Sequence, residues 1–234
     1  MTKTTREAIN HFRESKPMRK VPKDRIKPKD FAAYFEAIRD EVMEGKEFVN
    51  SDEVRTVLNY FYGVNDFDAY GVVKNKADIN KGLYIYGTYG NGKTTLMDII
   101  HQMGKRLILN HGNASLWFPM KSAKWFPEQY MLKASDKRGI VNFIQENWHK
   151  GKLAIDDLGA EKLAFKEVDV LEDIMFHRHR EGVQTFVTSN MTPKEYGEKY
   201  GGRLADRFEE TFNIIKFKSE GFREGTSIPK KDAK

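Results

Sequence analysis

Apolar residues recur at helical spacing in two segments near the start of the chain. The first segment would form a helix that ends near Gly45, with an apolar face of Phe31, Tyr34, Phe35, Ile38 and Val42. The second would end at Gly63, with an apolar face of Val54, Val57, Leu58 and Phe61. Asn50 and Glu53 resemble a capping box at its start. The pattern therefore predicts two amphipathic helices before a turn-rich stretch at 64–81.

From residue 82 onward, short apolar runs alternate with longer amphipathic segments. The runs predict strands at Leu83–Tyr86, Ser115–Phe118, Leu153–Ile155 and Thr185–Thr188. The longer segments predict helices at Lys93–Leu109, 128–147 and Val168–Arg180. Strands that are separated by helices are typical of a parallel sheet, so we expect an α/β fold.

Positive charge is concentrated at the start of the chain. Residues 1–30 contain ten Lys or Arg and four Asp or Glu, an excess equal to the formal net charge of +6 for all 234 residues. Pro17, Pro22 and Pro28 interrupt this arm. A basic arm on a neutral body indicates either a polyanionic or acidic partner, or a solvated terminus.

Composition excludes several classes of protein. The chain has no Cys, which excludes disulfides, cysteine-ligated zinc and thiol catalysis. No apolar run reaches the roughly 18 to 20 residues of a membrane span, and the first 30 residues lack the apolar stretch of a secretory signal. We therefore expect a soluble, cytoplasmic protein without a membrane partner.

A glycine-rich loop between a predicted strand and a predicted helix matches the phosphate-binding pattern G-x-x-x-x-G-K-[ST]. Its amide groups would surround the phosphates of ATP, Lys93 would contact the β- and γ-phosphates, and Thr94 would bind Mg²⁺. A glycine-rich turn with an incidental lysine is the alternative. The predicted cofactor-binding residues are Gly87, Thr88, Tyr89, Gly90, Asn91, Gly92, Lys93, Thr94 and Thr95.

Polar residues end two later strands. Asp156 and Asp157 follow an apolar run, so Asp156 would hold Mg²⁺ and Asp157 would act as general base toward the attacking water. Asn190 ends the next strand and would orient that water from a position between the other two strand ends. The alternatives are that the carboxylates cap a loop or helix and that Asn190 caps a turn.

In this order, these motifs resemble the AAA+ ATPases of the DnaC/IstB group, which comprises helicase loaders and transposition ATPases. The resemblance covers about residues 80–224 and includes Gly202–Phe208 and Gly221-Phe222-Arg223. It implies that Asn190 is the sensor-1 residue, Arg207 is a finger that reaches a neighbour's ATP, and Arg223 is the sensor-2 contact. Surface ion pairing is the alternative for the arginines. Tyr89 and Asp157 depart from the Pro and Glu that are usual in the group.

The resemblance implies an ATPase that loads a replicative helicase onto single-stranded DNA and self-associates through an ATP-bridged interface. The main alternative is an IstB-like helper that acts on duplex DNA with a transposase. Two further alternatives are a small-molecule kinase and a scaffold that binds ATP without hydrolysing it. The expected domains are a basic arm at 1–30, a helical extension for partner docking at 31–80, a AAA+ core at 81–228 and a tail at 229–234.

Lysines alternate with aromatic residues after the second predicted strand, as on a single-strand-binding surface. Lys121 and Lys124 are the candidate contacts to DNA phosphates. The alternative for the aromatic residues is a position in the protein core, as for Trp117 or Phe118. The run His177–Arg180 resembles a metal site, but cations at the C-terminal end of a helix also complement its dipole. Arg178 or Arg180 at a subunit interface is a further interpretation.

Overall fold

The computed structural model of the chain describes residues 26–134 and 148–218. Its centre is a five-stranded parallel sheet in the order β2-β3-β4-β1-β5. The strands are β1 (Gly82–Tyr86), β2 (Met120–Ser122), β3 (Leu153–Leu158), β4 (Thr185–Ser189) and β5 (Phe212–Lys216). The predicted α/β class with a parallel sheet is confirmed.

Helices cover both faces of this sheet. They are α1 (Pro28–Met43), α2 (Asp52–Tyr62), α3 (Lys93–His111), α4 (Trp125–Leu132), α5 (Val170–Glu181), α6 (Pro193–Tyr200), α7 (Gly202–Ala205) and α8 (Phe208–Thr211). Helix α4 corresponds to the start of the helix predicted at 128–147, of which residues 135–147 lie outside the described part. Within the described residues, no helix is both long and apolar enough to cross a membrane.

Two hydrophobic clusters hold the sheet between these helices. One joins α1, α2 and α3 to one face, and the other joins α5, α6 and α8 to the opposite face. Helix α1 contributes Phe31, Phe35 and Ile38 to the first cluster, and Ile38 is completely buried. The two N-terminal helices therefore pack on the same core as the sheet.

The strand predicted at Ser115–Phe118 is wrong, because the second strand begins at Met120. The amide of Ser115 donates to Oδ1 of Asn113 over 2.9 Å, and that of Trp117 donates to the carbonyl of Ala114 over 3.0 Å. These short-range bonds form a turn instead of a ladder. Phe118 is nevertheless buried, so its core interpretation is correct.

The capping box predicted at Asn50 and Glu53 is also wrong. Ser51 is the N-cap of α2, and its hydroxyl accepts a hydrogen bond from the amide of Val54 over 3.4 Å. Both Asn50 and Ser51 are residue types that cap helices, so their order in the sequence did not distinguish them. At the other end, the helix ends at Gly63, as predicted, and Gly63 adopts a left-handed conformation.

Candidate nucleotide-binding site

The glycine-rich loop joins the carboxyl end of β1 to the start of α3. A Cβ atom at Gly87 would lie 2.5 Å from the carbonyl oxygen of Phe217, so only glycine fits this close approach. Gly92 is the N-cap of α3 at φ 81°, and no side chain caps the helix there. The first turn also contains no acidic residue. An uncapped helix start presents backbone N–H groups and a positive dipole end, which suit an anion.

Lys93 is buried at the base of this loop, with only 6% of its surface exposed. Its Nζ donates to the carbonyl oxygens of Gly87 and Thr88, each over 2.8 Å. It also donates to Oδ1 of Asn91 over 2.9 Å and to Oδ1 of Asn190 over 3.1 Å. Three of these four oxygen acceptors belong to the loop itself, so the loop folds around the Lys93 ammonium group.

Burial determines the ionisation of this lysine. Loss of hydration lowers the pKa of Lys93 to about 8, while the charges of Asp157 and Asp156 act in the opposite direction. Lys93 therefore holds its proton less strongly than an exposed lysine does. A polyphosphate beside Nζ would supply additional negative charge and raise this pKa.

The two aspartates at the end of β3 lie next to the loop. The hydroxyl of Thr94 donates to Oδ1 of Asp156 over 2.8 Å, which joins α3 to β3. Nδ2 of Asn190 donates to Oδ1 of Asp157 over 2.8 Å. Because β4 lies between β3 and β1, Asn190 stands between the other two strand ends, as the sequence predicted. The structure thus brings Lys93, Thr94 and the three strand-end residues together.

Thr188 is a residue of this network to which the sequence did not assign a role. Its hydroxyl donates to Oδ1 of Asp156 over 2.6 Å and accepts a hydrogen bond from the amide of Asp157 over 2.9 Å. Only 2% of its surface is exposed. The one signal in the sequence that could have indicated this role is its position in the polar run Thr188-Ser189-Asn190 at the end of β4.

Two solved structures have a similar arrangement of strands and helices. A structure described as DnaI has 22% sequence identity and a TM-score of 0.50, over 79% of this chain and 93% of that chain. A DnaC helicase loader has 18% identity and a TM-score of 0.53, over 80% of this chain and 99% of that chain. The chain therefore shares the fold of these two proteins, a parallel sheet flanked by helices.

The similarity at these identities is one of fold, and at that level the predicted resemblance to the DnaC group is confirmed. No family model and no curated protein sequence matches the chain. The sheet order places the glycine-rich loop and the polar strand ends at the carboxyl edge of adjacent parallel strands, where α/β proteins bind ligands.

The remaining loop residues differ in their exposure. Thr88 and Tyr89 lie at the surface, and Tyr89 is 75% exposed at the position where the group usually has Pro. Asn91 is buried, and its Nδ2 donates to the carbonyl of Phe217 over 3.3 Å. Thr95 is half-buried in the first turn of α3. The loop thus rests on the end of β5 and leaves its tip open to solvent.

Arg207, one of the two arginines that the resemblance implied, is not part of the hydrogen-bond network described above. Arg207 precedes α8 and is half-buried, with its guanidinium 5.5 Å from the ring centre of Phe176. A residue that reaches a neighbour's nucleotide has no need to contact its own site, so the finger role stays a prediction. Arg223 lies outside the described residues.

The candidate DNA contacts lie at the β2 edge of the sheet. Lys121 is in β2, with its Nζ 4.8 Å from the ring centre of Trp125, and Lys124 is exposed just before α4. Phe126 is completely buried, which makes it a core residue, whereas Trp117 is half-buried. The two lysines therefore stay predictions as phosphate contacts.

Arg178, within the run His177–Arg180, has a structural role. Arg178 is 1% exposed and donates to Oγ1 of Thr185 and to the carbonyls of Trp148 and Gly151 over 2.6 to 2.8 Å. An interface role for Arg178 is therefore wrong, because its guanidinium is inside the core. In the part of the chain that the structure describes, no cluster of His, Asp and Glu is suited to a metal ion.

Proposed function

We propose that this chain is an ATP-hydrolysing AAA+ protein that delivers a replicative helicase to single-stranded DNA. The observation that supports the ATPase most strongly is the convergence of Lys93, Thr94, Asp156, Asp157 and Asn190 at one edge of the sheet. Similarity in fold to a DnaC helicase loader supports the replication role. The proposed partners are single-stranded DNA, the helicase and further copies of this chain.

The residues of the site fit ATP and Mg²⁺ by their chemistry. The uncapped start of α3 and the Lys93 ammonium offer hydrogen-bond donors and positive charge to phosphates. The Thr94 hydroxyl and the Asp156 carboxylate, which contact each other over 2.8 Å, are hard oxygen ligands of the kind that Mg²⁺ prefers. When bound, Mg²⁺ would neutralise negative charge on the phosphates.

Each of the other polar groups has a proposed task in hydrolysis. The Asp157 carboxylate accepts the proton of the attacking water, and the Asn190 amide keeps that carboxylate in place through their 2.8 Å hydrogen bond. Arg207 from a neighbouring subunit stabilises the charge that develops during phosphoryl transfer. Arg223 contacts the nucleotide of its own subunit.

The proposed DNA and protein contacts lie outside the nucleotide site. Lys121 and Lys124 contact DNA phosphates, and the basic arm at 1–30 with the helices up to residue 80 docks the partner. The +6 charge of the arm suits an acidic surface on that partner. Residues 81–228 form the AAA+ core in this division.

A comparison of three proteins tests the proposal. The wild type, Lys93→Ala and the control Lys105→Ala, an exposed lysine on the same helix, are titrated with a fluorescent ATP analogue. We expect binding by the wild type and the control but not by Lys93→Ala. Affinity capture from the native cell then identifies the partner, and recovery of a transposase, with stimulation by duplex DNA, would contradict helicase loading.

A further inference from the structure

The end of β3 contains a bulge that changes which way its two aspartates face. Ile155 pairs with Val187 and Leu158 pairs with Ser189, so Asp156 and Asp157 together lie opposite Thr188 alone. Asp157 has a φ of 55°, which few residues other than glycine adopt. Two residues against one is the arrangement of a β-bulge.

This bulge allows neighbouring carboxylates to serve one site. Successive side chains of a regular strand point to opposite faces, so one of two adjacent aspartates would face away from the phosphate loop. Here Asp156 contacts Thr94 and Asp157 contacts Asn190, and both partners belong to the nucleotide site. The irregular backbone is thus what places both carboxylates at the loop.

The Thr188 hydroxyl bonds to a backbone amide within the bulge and to the carboxylate beside it. It donates to Asp156 over 2.6 Å and accepts from the amide of Asp157 over 2.9 Å. A single hydroxyl can do both at once, whereas a methyl group of the same size can do neither. Because Thr188 is buried, water is poorly placed to replace it.

We infer that Thr188 is a positioning residue of the proposed ATPase, and this inference rests on that proposed function. Its hydroxyl orients the Asp156 carboxylate toward the metal position and keeps the Asp157 backbone in the left-handed conformation. It touches neither the nucleotide nor the metal itself. Loss of the hydroxyl therefore acts on magnesium use and on hydrolysis, and leaves metal-free nucleotide binding intact.

Thr188→Val tests this role, because valine has the same shape without the hydroxyl. We expect a fall in kcat and in apparent Mg²⁺ affinity of about 10- to 100-fold, the usual effect of removing a group that orients a metal ligand. ATP affinity in EDTA should change by less than about threefold, since Lys93 and the α3 amides are untouched. Thr188→Ser keeps the hydroxyl and should restore both kcat and Mg²⁺ affinity.

Thr185→Val is the matched control on the same strand. Its hydroxyl is also buried, but it accepts from Nε of Arg178 over 2.8 Å, away from the aspartates. We expect this variant to lower the melting temperature without changing the Mg²⁺ activation constant. An equal loss of Mg²⁺ affinity in both variants would show a general effect of strand stability and would overturn the positioning role.

The outcomes distinguish the two proposals. If the wild type binds ATP with Mg²⁺ and Thr188→Val behaves identically, the positioning role is wrong and the ATPase stands. If the wild type fails to bind ATP, the proposed function is wrong and the inference falls with it. Should Thr188→Val not fold, Thr188→Ala replaces it, and wild-type Mg²⁺ affinity in that variant overturns the role.

Discussion

Nδ2 of Asn190 donates a hydrogen bond to Oδ1 of Asp157 over 2.8 Å. The other end of the same amide, Oδ1, accepts from Nζ of Lys93 over 3.1 Å. One side chain therefore connects the candidate general base to the candidate phosphate-binding lysine. A phosphate that binds the Lys93 ammonium would compete with the hydrogen bond from Lys93 to Asn190. Because Asn190 also bonds to Asp157, we expect phosphate binding at the loop to affect the position of the candidate base.

The lowered pKa of Lys93 predicts that ATP binding takes up a proton. Burial holds the pKa at about 8 in the free protein, and phosphate raises it on binding. Well below that pKa the ammonium is already charged and no proton is needed, whereas above it a proton must be added. ATP affinity should therefore fall as the pH rises above 8.

Calorimetry measures this uptake directly, through the dependence of the binding heat on the ionisation enthalpy of the buffer. At a pH equal to the pKa, about half a proton should be taken up per ATP. If ATP affinity is constant on both sides of pH 8 and no proton is taken up, the pKa of Lys93 is not lowered to about 8.

The N-terminal helix should be needed for stability, because its apolar face is part of the core. Ile38→Ala should lower the free energy of unfolding by about 2–5 kcal/mol, the usual range for a buried isoleucine. Glu36→Ala on the exposed side of α1 is the control and should change it little. Chemical denaturation checks both, and equal stability of the two variants would contradict the packing of α1 on the core.

Because α1 packs on the core, the basic arm can be deleted only up to the start of this helix without removing buried residues. Deletion of residues 1–25 leaves α1 intact, so ATP binding should persist while partner capture is reduced. A deletion through residue 45 would also remove the buried Phe31, Phe35 and Ile38. Loss of ATP binding in the shorter deletion, measured by nucleotide titration, would instead indicate that the arm is structural.

The lysine pair at the β2 edge should contribute to the salt dependence of DNA binding. If Lys121 and Lys124 each contact one phosphate of a single strand, the double alanine variant should flatten the slope of log K against log salt by about 1.4. Lys74 and Lys76 are exposed residues close to β5, at the opposite edge, and their double alanine variant is the control. An unchanged slope for the Lys121 and Lys124 variant would move the DNA surface elsewhere.

Self-association can be tested with two inactive proteins. Arg207→Ala subunits should bind ATP normally but hydrolyse it about 10³-fold more slowly, because no neighbour supplies the guanidinium. Asp157→Asn subunits lack the base but retain Arg207. An equal mixture should recover part of the activity in a concentration-dependent way, and a mixture that stays inactive where oligomers form would exclude the finger role.

Local patterns predicted three of the five strands (β1, β3 and β4) and the residues of the candidate nucleotide site. The loop from Gly87 to Thr94, the aspartates after β3 and Asn190 after β4 each carry a short-range signal, and parallel topology then brings strand ends together. Their meeting was therefore predictable from motifs and strand order alone.

Features that depend on contacts across strands were not predictable in this way. The bulge opposite Thr188 arises from the pairing of β3 with β4, and no pattern within Ile155–Leu158 indicates it. Burial of Arg178 depends on carbonyl oxygens from Trp148 and Gly151, which meet it only in the folded chain. The wrong strand at Ser115–Phe118 arose because Leu116 and Phe118 are buried outside any strand, and their apolar pattern is the same as that of a strand.

In the proposed function, the aspartates at the end of β3 support ATP hydrolysis at the Lys93 loop. Asp157→Asn keeps the size of the side chain and removes the base, so its ATP affinity should equal that of the wild type. Its steady-state turnover with Mg²⁺ should fall by about 100-fold or more. Near-wild-type turnover in Asp157→Asn would show that Asp157 is not the base and that hydrolysis does not occur in this way.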